Sequence, residues 1–146
     1  MRRGFGLALI LLSISATALL SAPGEDDARK AARAFGQALT SGRADGLRPI
    51  LAEHGRLQLS LVRLGPEEGY FAAGQVEALF RDFLAEGKVR AFEILRLECD
   101  GQSTALVHGR ASLTDRQGRA ARVGIHLAFQ VEQDRWVLRE IKETAE

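Results

Sequence analysis

The alternation Val123, Ile125, Leu127, Phe129 and Val131 constrains this chain more than any other feature. An apolar residue at every second position marks a strand with one buried face. Such a strand needs a partner, and Thr104 to Leu113 supplies one. Between them, Asp115-Arg116-Gln117-Gly118-Arg119 suits a three-residue hairpin loop that ends in a left-handed glycine. Residues 115 and 119 then face each other. That register pairs Ala111 with Val123, Gly109 with Ile125, Val107 with Leu127 and Ala105 with Phe129. All eight are apolar or glycine and share one face. A two-residue turn would set Ile125 beside Arg110, so the pattern selects the longer loop.

Three further strands are expected: around Leu57, Leu59 and Leu61, from Val89 to Cys99, and from Trp136 to about Lys142. Helical spacing appears earlier. Ala28, Ala31, Ala32, Phe35 and Leu39 form one stripe, with Asp26 or Asp27 as cap and Gly42 as the stop. Asp45 opens a short second helix through Ala52, with Pro49 placed in its first turn. Val76, Leu79, Phe80, Phe83 and Leu84 make a third helix that Gly87 closes. No repeat or long linker divides the chain. The fold class is α+β: three helices packed on one face of an antiparallel sheet.

The N-terminus has a different composition. A positive start, Met1-Arg2-Arg3, precedes an apolar run from Phe5 to Leu20, and small residues at Ala16-Thr17-Ala18 and Ser21-Ala22 follow. Those are the parts of a secretory signal peptide. The run has 16 residues, short of the roughly 20 that a spanning helix needs. We therefore expect a leader at 1–22, cut after residue 18 or 22, and a single domain at 23–146 in the periplasm or outside the cell. Without Arg2 and Arg3, 18 basic residues face 19 acidic ones, a net charge of −1. No field remains to attract nucleic acid, and no stable membrane insertion is expected. The single Cys99 excludes an internal disulfide and reads as a half-buried small hydrophobe.

The stretch from Phe35 to Leu51, FGQALTSGRADGLRPIL, resembles the opening helices of the nuclear transport factor 2-like superfamily. Later segments match in order: a leucine-rich strand, a loop containing Tyr70, a helix ending LFRDFL, and a late Trp136-Val137-Leu138. The resemblance extends over nearly all of 23–146 and is similar to small exported bacterial members of unassigned function. It implies a cone, in which a strongly curved sheet wraps a long helix and leaves a pocket at the open end. The fold hosts isomerases, dehydratases, adaptors and binding domains, so it does not settle function. The steroid isomerases of this fold carry a tyrosine and two acids at positions that align here with Phe35, Leu59 and about Leu127. A phenylalanine cannot donate the oxyanion hydrogen bond and a leucine cannot abstract a proton.

The expected pocket is lined by Phe35, Leu39, Leu59, Val107, Leu127 and Phe129, with Tyr70 and Glu140 as its polar equipment. A two-residue turn at Gln133-Asp134 sets Trp136 opposite Val131, Leu138 opposite Phe129 and Glu140 opposite Leu127. There an inward carboxylate would have its ionised form disfavoured and would serve as acid, base or anchor. Ile141 argues the other way, because the alternation changes sides at that point. His108 and His126 face each other on the outer side with Cβ atoms about 5 Å apart. They are half of a metal site without a visible third ligand, flanked by Arg110 and Arg122. His54 lies in a loop with no partner in the pattern.

No phosphate loop, nucleophile triad or Cys/His cluster is present in the sequence. We therefore expect no cofactor, and an exported non-catalytic domain that binds a small apolar or amphipathic ligand or a protein partner. The alternative is an isomerase- or hydrolase-type enzyme using Glu140 as acid or base. Homodimerisation through the outer sheet face is common in the fold that the resemblance implies. Here that face carries His108, Arg110, Arg122 and His126, so a monomer or weak homodimer is expected. Light scattering at micromolar concentration should report the monomer mass; a tight dimer would contradict it.

Overall fold

The computed structural model describes residues 23–64, 67–86, 88–115 and 117–145. Residues 1–22, where a leader is expected, and Gly87 and Arg116 therefore lie outside the described residues. The first helix, α1, spans Glu25–Ser41 and buries Ala28, Ala31, Ala32, Phe35 and Leu39, as its spacing predicts. Its start differs from expectation. Gly24 takes the N-cap without a side-chain bond, and Glu25, Asp26 and Asp27 occupy the first turn. There their charge favours the positive end of the helix dipole rather than capping it. Gly42 ends the helix at φ 72°, a left-handed conformation that glycine adopts without steric cost.

A 3-10 helix follows at Ala44–Ile50, two residues earlier at each end than a helix capped by Asp45 and running through Ala52. Arg43 precedes it, and the Asp45 carboxylate pairs with the Arg43 guanidinium at 3.1 Å instead of capping. Pro49 lies inside this short stretch, where no long ladder of i→i−4 bonds exists to be broken. The carbonyls of Pro49 and Leu51 accept hydrogen bonds from the Arg135 guanidinium at 2.7 and 3.0 Å. Helix α2 spans Ala73–Leu84, with Gln75 Oε1 accepting the Ala72 N–H at 2.9 Å.

Six strands form one sheet: β1 (Leu57–Ser60), β2 (Glu68–Phe71), β3 (Val89–Cys99), β4 (Thr104–Thr114), β5 (Ala120–Glu132) and β6 (Arg135–Thr144). Their order is β2-β1-β6-β5-β4-β3. The short β2 falls where a Tyr70 loop was expected, because Glu-Gly-Tyr-Phe alternates only between exposed and half-buried positions. Every pairing is antiparallel save β1 with β6, which run parallel, so the sheet is mixed. Alternation reports which face a residue occupies and is blind to strand direction.

The β4–β5 register is the expected one, with Ala111, Gly109, Val107 and Ala105 opposite Val123, Ile125, Leu127 and Phe129. Gly118, at φ 77°, supplies the left-handed position of the turn. At the β5–β6 turn, Gln133 and Asp134 take φ 49° and 61°, the conformation of a two-residue hairpin loop. Bulges in β3 and opposite Ala128/Phe129 bend the open sheet around α1. Among the described residues, no helix is long and apolar enough to cross a membrane.

Phe35 centres the core. It is 0% exposed and meets Phe80 and Phe92 edge-to-face, with ring centroids 6.2 and 5.5 Å away. The Phe92 ring also lies against Gly36 and Gly109, where an added Cβ would approach to 2.4 and 2.6 Å. The 3-10 helix and α2 are tied by Glu77, whose carboxylate accepts both Arg48 bonds at 2.8 Å and an Arg81 bond at 2.7 Å. Only 10% of that carboxylate-bearing side chain is exposed.

Two outcomes follow from this packing. Phe35→Ala should lower unfolding stability by about 3–5 kcal/mol, as removal of a fully buried aromatic leaves a cavity. Denaturant unfolding measures it, and a loss below about 1 kcal/mol would contradict a closed core at Phe35. The second concerns acid. Hydrogen bonding and charge from Arg48, reinforced by Arg81, hold the Glu77 carboxyl below its ordinary 4.5, against the opposing effect of burial. A depressed carboxyl stabilises the fold above its unfolded value and loses that contribution as pH falls through the folded value. Glu77→Gln should therefore be less stable at neutral pH and show a flatter acid limb in urea midpoints. Parallel pH profiles for the two proteins would contradict the assignment.

Candidate functional site

A cavity of about 960 Å³ opens at the end of the sheet where β4 turns into β5. The turn after β1 supplies Leu61, Val62, Arg63 and Leu64; α2 supplies Leu79, Phe80, Asp82 and Phe83; and the β4–β5 hairpin supplies Leu113, Thr114, Asp115, Gln117, Arg119, Ala120 and Ala121 on the far side. Leu79 and Phe83, one turn apart, belong to the stripe that also carries the buried Val76, Phe80 and Leu84. They are partly buried and packed against the core. The floor is apolar and the rim is charged.

Two carboxylates of the rim, Asp115 and Glu86, are paired with neighbouring cations. The Asp115 carboxylate accepts the N–H groups of Arg119 and Gln117 at 2.8 and 2.9 Å, which hold it below the usual carboxylate range. It also pairs with the Arg119 guanidinium at 3.2 Å. Glu86 pairs with Lys88, whose ammonium stands 5.8 Å from the centre of the Phe83 ring.

The wall at 61–64 is held from below. Glu143 Oε2 accepts three successive backbone N–H groups: Val62 at 2.7 Å, Arg63 at 2.6 Å and Leu64 at 3.2 Å. Consequently Leu64 points inward, 1% exposed, while Val62 points out, 78% exposed.

The residues expected to line a pocket lie elsewhere. Phe35, Leu39, Leu59, Val107, Leu127 and Phe129 meet one another in the core, and none of them borders the cavity. Tyr70 stands on the edge strand β2, 62% exposed. Glu140 faces away from the concave side. The expected register holds for Trp136 with Val131 and Leu138 with Phe129, but Glu140 then pairs with Ala128 and Leu127 with Ile141. Arg139 is the extra residue of the bulge, and every later β6 side chain changes face. The strand continues to Thr144.

Glu143, opposite Ile125, is the acid that this shift turns toward the concave side. It was not among the expected site residues. The signal was Ile141, the apolar residue that breaks the alternation.

On the other face His108 and His126 stand opposite each other, rings edge-to-face at 4.6 Å. Burial, then the charge of His108, lowers the His126 pKa, with Glu140 acting the opposite way. Among the described residues, no group of three or more His, Cys, Asp or Glu side chains is placed to hold a metal. Cys99 is half-buried, and His54 is exposed.

No family model matches the chain, and no curated protein matches it by sequence. Solved structures do. An NTF-2-like protein of unknown function from Shewanella oneidensis superposes with a TM-score of 0.63 at 16% identity, over 82% of this chain and 98% of that one. A DUF4783 family protein from Bacteroides uniformis gives 0.61 at 16% identity, over 78% and 97%. TsrD from Streptomyces laurentii gives 0.61 at 16% identity, over 84% and 90%. At such identities the likeness is one of architecture. Helices, sheet order, bulged curvature and superposition agree: this chain has the nuclear transport factor 2-like fold.

Proposed function

We propose that this chain is an exported, non-catalytic domain that takes up a small apolar or amphipathic molecule, or the apolar end of an exported protein partner, in the cavity between α2 and the β4–β5 hairpin. The observation that carries the proposal is the cavity itself, about 960 Å³ with an apolar floor and a charged mouth. Sites for small ligands commonly enclose about 300–1,000 Å³ and are lined mostly by apolar side chains. Binding there removes apolar surface from water, worth about 25 cal/mol per Å² before ordering costs.

The mouth favours ligands with a polar end, since Asp115–Arg119 and Glu86–Lys88 keep both signs of charge at the rim. Those pairs also occupy two of the rim carboxylates, which speaks for binding rather than for proton transfer. Glu140, the acid of the enzymatic alternative, lies across the sheet from the cavity. Export rests on the charged, apolar and small-residue order of the first 22 residues.

The test is uptake of 1-anilinonaphthalene-8-sulfonate, followed by its fluorescence. The wild type should bind it saturably, and Ala121→Trp, which fills the cavity from β5, should weaken uptake at least about tenfold while circular dichroism stays unchanged. Glu140→Gln should leave uptake as it was. No saturable uptake, or uptake indifferent to Ala121→Trp, would contradict the proposal.

A further inference from the structure

We propose that Glu143 is the positioning residue of this cavity: its carboxylate fixes the wall at residues 62–64 in the conformation that admits a ligand. The role rests on the ligand-binding reading above and goes beyond it by naming what shapes the site. Three consecutive backbone N–H groups converge on one oxygen, Glu143 Oε2, from a segment about 80 positions away in the chain. Successive N–H groups aimed at one point form a concave anion site, and here the anion is the protein's own carboxylate.

Bonds to an ionised acceptor are roughly twice as strong as neutral ones. Among the described residues, Glu143 is the side chain that holds those three amides, and the turn follows the last residue of β1, beyond its ladder with β6. The geometry has a direct consequence for the cavity. With the amides held, Leu64 is directed into the core and Leu61 toward the floor, and both border the cavity. Without the carboxylate, the turn would exchange these bonds for water and Leu64 would lose its fixed direction.

The bulge at Arg139 makes the arrangement possible. In an unbroken register position 143 would face outward, and no acid on β6 would reach the turn.

The experiment uses the full chain, Glu143→Ala and Glu143→Gln, with two readouts. Amide hydrogen exchange at Val62, Arg63 and Leu64 reads the latch without any ligand. Titration with 1-anilinonaphthalene-8-sulfonate reads the cavity. In Glu143→Ala the three amides should exchange at least about tenfold faster and the probe's Kd should rise at least about tenfold. Exchange in the paired centre of β4 and β5 should stay as in the wild type, which a general loss of stability would not allow. Glu143→Gln keeps a carbonyl acceptor at the same reach and should fall between the two in both readouts; it carries the comparison if the alanine variant does not fold.

Unchanged exchange at the three amides in the variants would overturn the proposal. So would faster exchange with a Kd within twofold of the wild type. A wild type that takes up no probe would overturn the ligand reading and the role given to Glu143 with it. That failure is distinct from failure of the latch, which the exchange data report separately.

Discussion

The pairing of β4 with β5 is the constraint on which the rest of this molecule depends. Eleven opposed positions run without a break from Thr104–Gln130 to Thr114–Ala120. Their inward residues, from Ala105 and Phe129 to Leu113, present a continuous apolar surface that must be covered. Helix α1 covers it with Phe35, Ala38 and Leu39, and the Phe92 ring closes the gap between Gly36 and Gly109. Shifting this ladder by one residue would expose that whole surface. Because the ladder ends in the Asp115–Arg119 turn, it also sets where the cavity's far wall stands.

A single irregularity then decides which β6 side chains turn toward the concave side. Up to Leu138, β6 follows the register that its turn dictates; after Arg139 it does not. The extra residue sends Glu140 and Lys142 to the side of the two histidines, and Ile141 and Glu143 to the concave side. Ile141 thereby joins the core, fully buried. The burial of one isoleucine, about 1.5–3 kcal/mol, is a sufficient reason for the strand to bulge rather than continue straight. Glu143 follows as a consequence and finds the amides of residues 62–64.

Much of this was written in the sequence, and the parts that were not have physical causes. The period-two run in β5, the length of the β4–β5 loop and the left-handed glycines 42 and 118 are local features. Their geometry follows from nearby residues alone, and the structure agrees at each. The inward acid on β6 was anticipated as a kind of residue but placed at Glu140, since alternation counts positions and a bulge inserts an extra one. The cavity was misplaced for a related reason. Phe35, Leu59, Leu127 and Phe129 are apolar and inward, and apolar patterning does not distinguish side chains that meet from side chains that leave a gap. Where α2 ends relative to the hairpin decides that, and it depends on the Glu77 contacts with Arg48 and Arg81, 29 and 4 residues away. The direction of β1 against β6 is equally long-range.

The central claim is that a ligand enters between the C-terminal end of α2 and the β4–β5 turn, not at the centre of the sheet. Backbone NMR of the full chain, titrated with 1-anilinonaphthalene-8-sulfonate, addresses it most directly. The account predicts saturable shifts that gather at residues 61–64, 79–83 and 113–121, with the amides around Leu39, Val107 and Leu127 unmoved. Shifts centred on the outer face near His108 and His126, or none at saturating probe, would contradict it.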